Sequence, residues 1–319
     1  MTTKDVCVYV GEGLRGYGFG QGHPFGPDRM DAFWKEAKRQ GMDGKTCVLE
    51  PVLADREVIE RFHTGEYVDR VVAQSKTGEG LLDYGDTPAF PGVFEAASFV
   101  VGSTLDACHR IMAGTCRRAF VPIGGLHHAR RGSAGGFCVF NDHSVAVEVL
   151  RARYGLMRIA YVDIDAHHGD GVFYSFEEDP QLFIADIHED GRFLYPGTGF
   201  ARETGRGAAA GTKLNIPMPM YADDEDFLAA WESVETFVDA AKPQFILLQC
   251  GSDGLAGDPI THLQYSETAH AHAAERLCVL ADRHCEGRLV AGGGGGYNRD
   301  NIGKAWTAIV RSMVESRPS

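Results

Sequence analysis

The sequence predicts a single α/β domain with a mostly parallel central sheet and helices on both faces. Short apolar runs rich in β-branched residues recur along the 319 residues, and segments with helical periodicity separate many of them. This alternation is typical of parallel strands joined by crossover helices. No repeat and no linker rich in Pro and Ser divides the chain, so we expect residues 1–319 to form one domain.

The strands and helices follow from these patterns. The predicted strands are 6–10, 119–123, 159–164, 182–187, 245–249 and 289–291. The predicted helices are 27–40, 94–113, 141–154, 223–240 and 267–284. Glycines cluster where several apolar runs end, at 124–125, 135–136, 169–171, 197–199 and 292–296. Because ligands of open α/β sheets bind beyond the carboxyl ends of the strands, we expect these loops to form the functional site.

Composition excludes some classes of function. With 31 Lys and Arg against 44 Asp and Glu, the formal net charge is −13, which argues against a basic nucleic-acid-binding surface and favours a cationic or neutral ligand. The eight cysteines are scattered without a C-x-x-C pair, which suits reduced thiols. The N-terminal segment lacks the pattern of a secretion signal, and no apolar stretch is long enough to span a membrane. We therefore expect a cytoplasmic protein.

The segment 161–170 carries the strongest chemical signal. Asp163, Asp165 and His167 recur at every second position where a predicted strand ends, so their side chains point to one side of it. Three ionisable groups on a buried strand are costly unless something compensates them, and both carboxylate and imidazole are good ligands for zinc or iron(II). The alternative is a solvent-facing edge strand with ordinary salt bridges, but the apolar run 159–164 favours an interior strand.

A further carboxylate, Asp253, follows the apolar run 245–249. Taken alone, an Asp at such a position is often a helix cap or a turn residue. Together with Asp165 and His167, it would complete a three-ligand site that leaves a position open for water and substrate.

Two more loops offer catalytic groups. His127 and His128 are adjacent on a glycine-rich loop, where imidazoles can transfer protons near neutral pH, and Asp163 and Asp170 are available as their carboxylate partners. Tyr297 follows five consecutive glycines, and its hydroxyl could donate to a developing oxyanion. The alternative for Tyr297 is a partly buried aromatic residue that closes a loop.

Taken together, these segments resemble the histone deacetylase superfamily, which has the arginase-deacetylase fold, and within it the bacterial acetoin-utilisation type. The resemblance covers nearly the whole chain and keeps the order of the motifs. The motifs are HPFGPDR at 23–29, GDTP at 85–88, GGLHH at 124–128, GGFC at 135–138, DIDAHHGD at 163–170, YPGTG at 195–199, GSDGLAGDP at 251–259 and GGGGGYN at 292–298.

The resemblance implies a deacetylase that removes acetyl or acyl groups from the side-chain amine of acetyl-lysine in a protein or peptide. The implied metal ligands, usually for zinc and sometimes for iron(II), are Asp165, His167 and Asp253. His128, paired with Asp170, would be the general base and then the acid. His127, paired with Asp163, would act mainly electrostatically, and Tyr297 would stabilise the oxyanion.

The resemblance also implies residues that contact the substrate and a structural potassium ion. The implied substrate-binding residues are Gly136, Phe137, Tyr195 and Ile260 along an acyl-lysine tunnel, with Asp86 at its rim. Potassium would bind near the active site, through main-chain oxygens of Asp163, Asp165 and His167 and the segment around Asp186.

Three other functions stay open. An acetylpolyamine amidohydrolase would favour an acidic residue at the tunnel mouth, whereas Ile260 is apolar. A dimanganese ureohydrolase needs ligands for a second metal, but His168 and Gly169 follow the first ligands, and four residues separate Asp253 from Asp258. A non-catalytic protein that binds acyl-lysine could lose catalytic residues freely, yet all of them are present. The sequence leaves the oligomeric state undecided.

Overall fold

The computed structural model describes residues 5–20, 22–83 and 85–316, and they surround one eight-stranded sheet. The first four residues of the N-terminal segment considered above lie outside the described residues. The strands are β1 Val6–Tyr9, β2 Cys47–Leu49, β3 Arg118–Val121, β4 Ile159–Asp163, β5 Leu182–Glu189, β6 Lys213–Met218, β7 Phe245–Gln249 and β8 Leu289–Gly292. Their order is β2-β1-β3-β8-β7-β4-β5-β6, and every neighbouring pair is parallel.

The longer helices that flank this sheet form two groups, and the helices within each group pack against one another. The helices are α1 Glu12–Arg15, α2 Arg29–Arg39, α3 Met42–Lys45, α4 Arg56–Ile59, α5 Gly65–Thr77, α6 Val93–Met112, α7 Asp142–Tyr154, α8 Asp170–Ser175, α9 Asp224–Ala241, α10 Glu267–Cys285 and α11 Arg299–Glu315. One group contains α2, α11, α10 and α9, and the other contains α5, α6 and α7. The α/β prediction is confirmed, and the sheet is wholly rather than mostly parallel.

The sequence missed two strands, β2 and β6, which are the two edges of the sheet. It also missed the long helices α5 and α11 and the short helices α1, α3, α4 and α8. None of the helices in the described part of the chain is both long and apolar enough to cross a membrane.

Strand β4 lies inside the sheet, between β5 and β7, and all five of its residues are buried. The alternative of a solvent-facing edge strand is therefore wrong. Because all strands are parallel, the carboxyl ends of β3, β4, β7 and β8 lie on the same side of the sheet, which we call its carboxyl edge. The loops that follow these four strands carry the histidine pair, the Asp-His-Asp cluster and the glycine loop.

Candidate metal centre and active site

Asp165, His167 and Asp253 lie together at the carboxyl edge of the sheet. Strand β4 ends before Asp165, so Asp165 and His167 lie in the loop beyond the strand rather than in the strand itself. Asp253 follows the neighbouring strand β7. His167 Nδ1 is 3.1 Å from Asp165 Oδ1 and 3.0 Å from Asp253 Oδ2. All three residues are buried, and one ligand atom of each lies within 4.8 Å of the others.

The electrostatics of this cluster test whether it fits a metal ion. Burial raises the pKa of Asp253, and the Asp165 carboxylate raises it further, to about 7. Burial alone would lower the pKa of His167, but hydrogen bonds with the two carboxylates raise it to about 10. The cluster therefore requires positive charge, which protons or a divalent cation can supply. Two carboxylates and one imidazole on converging atoms fit a metal site of the catalytic type.

The glycine loop after β8 closes over these carboxylates. Gly295 N donates to Asp165 Oδ2 at 2.8 Å. A Cβ on Gly295 would lie 2.3 Å from Asp253 Oδ2 and 2.8 Å from Asp165 Oδ2. Only glycine lets the main chain come this close, which explains the need for a residue without a side chain here.

The loop that carries His127 and His128 is held by the N-terminus of α7. Asn141 is the N-cap of this helix, and its Nδ2 donates to two carbonyl oxygens of the loop, at 2.9 and 3.3 Å. Asp142 is fully buried and accepts the main-chain N–H groups of the two residues before His127, at distances of 2.9 to 3.0 Å. Helix α7 thus fixes the backbone on both sides of the histidine pair.

Each histidine donates to the carboxylate that the family resemblance implied as its partner. His127 Nδ1 donates to Asp163 Oδ2 at 2.8 Å, and His128 Nδ1 donates to Asp170 Oδ1 at 2.7 Å. The two Nε2 atoms face each other at 3.1 Å, close enough to share a proton. Burial is the main cause that lowers the pKa of His128, and the neighbouring His127 lowers it further, to about 4.

The partner of His128 remains ionised. Burial opposes the charge of Asp170, but hydrogen bonds from His128 and Arg130 lower its pKa to about 2. Arg130 Nη2 donates to Asp170 Oδ2 at 2.8 Å. The imidazole is thus oriented by an anionic carboxylate and is neutral near pH 7.

Tyr297 lines the same inner cavity as the histidine pair, Asp165 and His167. Burial raises the pKa of Tyr297 well above its ordinary value, and the charges of Asp253 and Asp165 raise it further, so the hydroxyl keeps its proton. Its main-chain N–H donates to Asp258 Oδ2 at 2.9 Å, and Asp258 Oδ1 accepts from Ile260 N at 3.1 Å. Asp258 therefore ties the Tyr297 loop to the loop of Ile260.

A cavity of about 210 Å³ adjoins the cluster, and Tyr195, which is 48% exposed, stands where it meets the surface. Its lining residues are Asp86, His128, Gly136, Phe137, His167, Leu194, Tyr195, Ile260 and Tyr297. The five residues that the resemblance implied as substrate contacts are all among them. A Cβ on Gly136 would lie 2.3 Å from His128 Cδ2, and its φ of +50° also favours glycine.

Several residues that position the site were missed by the sequence analysis. Tyr17 hydroxyl donates to the Phe137 carbonyl at 2.7 Å, and Thr87 Oγ1 accepts from Phe137 N at 3.0 Å. Gln249 Nε2 donates to Asp165 Oδ2 at 2.7 Å. The polar Gln249 at the end of an apolar strand was a usable signal, and Thr87 lies within the GDTP motif, whereas nothing local in the sequence points to Tyr17.

Comparison with known proteins decides the family. A family model described as the histone deacetylase domain matches residues 23–313. The chain belongs to the histone deacetylase family. It is 37% identical to the acetoin utilization protein AcuC of Bacillus subtilis over 322 residues, which cover 97% of this chain and 82% of the relative. It is 36% identical to a probable deacetylase of Archaeoglobus fulgidus over 282 residues, which cover 86% of this chain and 77% of the relative.

The fold of this family member also matches a solved structure. The crystal structure of the HDA15 HD domain superposes with a TM-score of 0.89 at 27% sequence identity, covering 99% of this chain and 91% of that one. The family resemblance inferred from the motifs is therefore confirmed. The identity of the metal ion and the potassium site stay predictions. Near the predicted potassium site, Asp186 Oδ2 accepts from Gly169 N at 2.9 Å, and Asp186 Oδ1 accepts from His188 Nδ1 at 2.6 Å.

Proposed function

We propose that this protein is a metal-dependent deacetylase that hydrolyses the side-chain amide of acetyl-lysine in a protein or peptide. The observation that carries the proposal is the buried cluster of Asp165, His167 and Asp253 beside a cavity that His128 and Tyr297 also line. The names of two relatives, the probable deacetylase of Archaeoglobus fulgidus and histone deacetylase clr6 of Schizosaccharomyces pombe, support the reaction class.

Asp165, His167 and Asp253 would hold the metal ion, with zinc as our first choice and iron(II) as the second. Such an ion would polarise the acetyl carbonyl and make water a stronger acid. Three protein ligands are the number that catalytic zinc sites use, since they leave room for water and substrate.

The side chains of the protein would transfer the protons. Neutral His128 takes a proton from the attacking water, whose oxygen adds to the acetyl carbon, and Asp170 orients the imidazole. The Tyr297 hydroxyl donates to the carbonyl oxygen as negative charge develops there. When the carbon–nitrogen bond breaks, His128 returns the proton to the leaving nitrogen, so that acetate and a free lysine amine are formed. His127 would act electrostatically, through its contact with Asp163.

The lining of the cavity favours acetyl-lysine over an acetylated polyamine. Phe137 and Tyr195 offer aromatic walls to the methylene chain of a lysine, and Asp86 at the rim would accept from main-chain N–H groups of the substrate. Ile260 gives the cavity mouth an apolar wall, whereas a carboxylate at this position would attract the cationic amine of an acetylated polyamine.

The experiment that tests the proposal is reconstitution with zinc, iron(II) or manganese, followed by elemental analysis and assays on acetyl-lysine peptides and acetylputrescine. We expect about one metal ion per chain and a higher kcat/KM for the peptides. Two metal ions per chain would indicate a ureohydrolase instead. A preference for acetylputrescine would support the polyamine alternative, and inactivity on a panel of acyl-lysine peptides would support a binding protein.

A further inference from the structure

Tyr221 combines two unusual properties. Its side chain is 65% exposed, the highest value among the exposed large hydrophobic side chains of the described residues. Its backbone has a φ of 67°, in the left-handed region that residues other than glycine rarely adopt. Burial of the ring in the core therefore does not account for the strained backbone, and such strain is a recurrent property of functional sites.

Hydrogen bonds connect Tyr221 to one wall of the cavity. Its main-chain N–H donates to the carbonyl of His262 at 3.2 Å, and the two rings lie 6.3 Å apart between centroids. His262 lies two residues beyond Ile260, which lines the cavity. Buried Glu189 accepts from His262 N at 2.8 Å and from His262 Nδ1 at 2.6 Å, so this wall is held firmly to the end of β5.

The chain that leaves β5 forms the adjacent wall. It runs from Glu189 through Phe193, which is 55% exposed, to Tyr195, which is 48% exposed and lines the cavity. Phe193, Tyr195 and Tyr221 are thus exposed aromatic residues next to the two cavity walls, and we call them the outer aromatic rim. Aromatic side chains on a surface that continues a binding cavity are frequent anchors for peptides.

We propose that the outer aromatic rim binds the polypeptide that flanks the acylated lysine, with a basic side chain of that polypeptide over the ring of Tyr221. This inference rests on the proposed function and narrows its substrate class to basic peptide segments. Continuity with the cavity supports it, because Tyr195 also lines the cavity and Tyr221 is hydrogen-bonded to the segment that carries Ile260. Charge supports it as well, since the exposed Asp223, Glu225 and Asp226 follow Tyr221 and attract cations.

Tyr221→Gly tests the proposal sharply, because glycine suits the left-handed backbone while it removes the ring. We expect thermal stability equal to or above that of the wild type. For a nine-residue acetyl-lysine peptide with flanking arginines, KM should rise about fivefold to tenfold with kcat unchanged. For acetyl-lysine blocked at both ends, which has no flanking residue to place over Tyr221, both constants should stay the same. Tyr221→Phe should behave like the wild type.

Lys242→Gly is the matched control. Lys242 also has a left-handed backbone, with a φ of 47°. It lies just before the amino end of β7, whereas the cavity lies beyond the carboxyl ends of the strands. This variant should keep normal kinetics on both substrates. Exchanging the arginines of the peptide for glutamates should raise KM for the wild type and abolish its advantage over Tyr221→Gly.

The proposal is overturned if Tyr221→Gly leaves KM for the arginine peptide unchanged, or if it harms turnover of the blocked amino acid equally. A wild-type protein that is inactive on both substrates would refute the proposed function instead. Fluorescence anisotropy with the labelled arginine peptide would then still test the rim, because Tyr221→Gly should weaken its binding by the same factor. Equal affinities would refute the rim.

Discussion

Buried His63 makes the stability of this protein sensitive to acid, at a place that supports the histidine loop. Its ring is 2% exposed and packs among Phe62, Tyr67 and Phe140. Its Nε2 accepts from the main-chain N–H of Asn141 at 2.9 Å. Protonation of His63 would remove this acceptor and place a charge among aromatic rings. Burial accordingly lowers the pKa of His63 from 6.5 to about 3.

The size of the effect follows from proton linkage. Because the folded pKa lies below the unfolded one, the unfolded chain takes up the proton first as the pH falls. The free energy of unfolding therefore decreases from about pH 6.5 downwards, until the pH approaches the folded value near 3. At pH 5 the unfolded state is almost fully protonated at this ring and the folded state is not, which gives a loss of roughly 2 kcal/mol relative to pH 8.

His63→Gln isolates this contribution, because its Oε1 can still accept from Asn141 N while the side chain no longer titrates. We would measure urea unfolding of both proteins at pH 8 and pH 5. Between these pH values the variant should lose about 2 kcal/mol less than the wild type. Other buried histidines contribute to both proteins and cancel in the comparison. If the two proteins lose stability equally, with equal m-values, the assignment of the proton to His63 is refuted.

Three further predictions concern the site. Tyr297→Phe should lower kcat by about 10²- to 10³-fold while metal content by elemental analysis stays normal; near-normal turnover would remove the hydroxyl from the mechanism. Asp253→Asn should lose most of its bound metal after dialysis against a weak chelator, and wild-type stoichiometry would contradict its role as a ligand. Gly136→Ala should lower kcat/KM more than tenfold by displacing His128, with its fold kept by circular dichroism; unchanged kinetics would show that the ring can move aside.

The sequence predicted the interior of the sheet better than its edges. Strands buried on both faces, such as β4 and β7, are continuous apolar runs that stand out from the surrounding sequence. Strand β2 has only three residues, and β6 contains Lys213, Asn215 and Pro217, which are typical of edge strands and weaken the apolar pattern. The two edge strands therefore gave no clear signal.

Sequence patterns likewise identified some residues of the candidate site and missed others. Residues in dense polar motifs, such as the Asp-His-Asp cluster, could be singled out because charged groups at the end of an apolar strand need compensation. Asn141 and Asp142 fell within the predicted helix 141–154, but their hydrogen bonds to the loop of His127 and His128 became visible only in the structure. The contact of Tyr17 with Phe137 spans 120 residues of sequence, and neither periodicity nor motif spacing carries that information.

The separation of the cluster along the chain has a consequence for folding. His167 and Asp253 are 86 positions apart, and β5, β6 and α9 lie between them in sequence. The ligand set is therefore incomplete on a growing polypeptide until β7 has been synthesised and has paired with β4. A metal ion bound there would act as a late cross-link between two distant loops and would stabilise only the assembled sheet. Metal content would thus measure how much of a preparation has completed this pairing of β4 with β7.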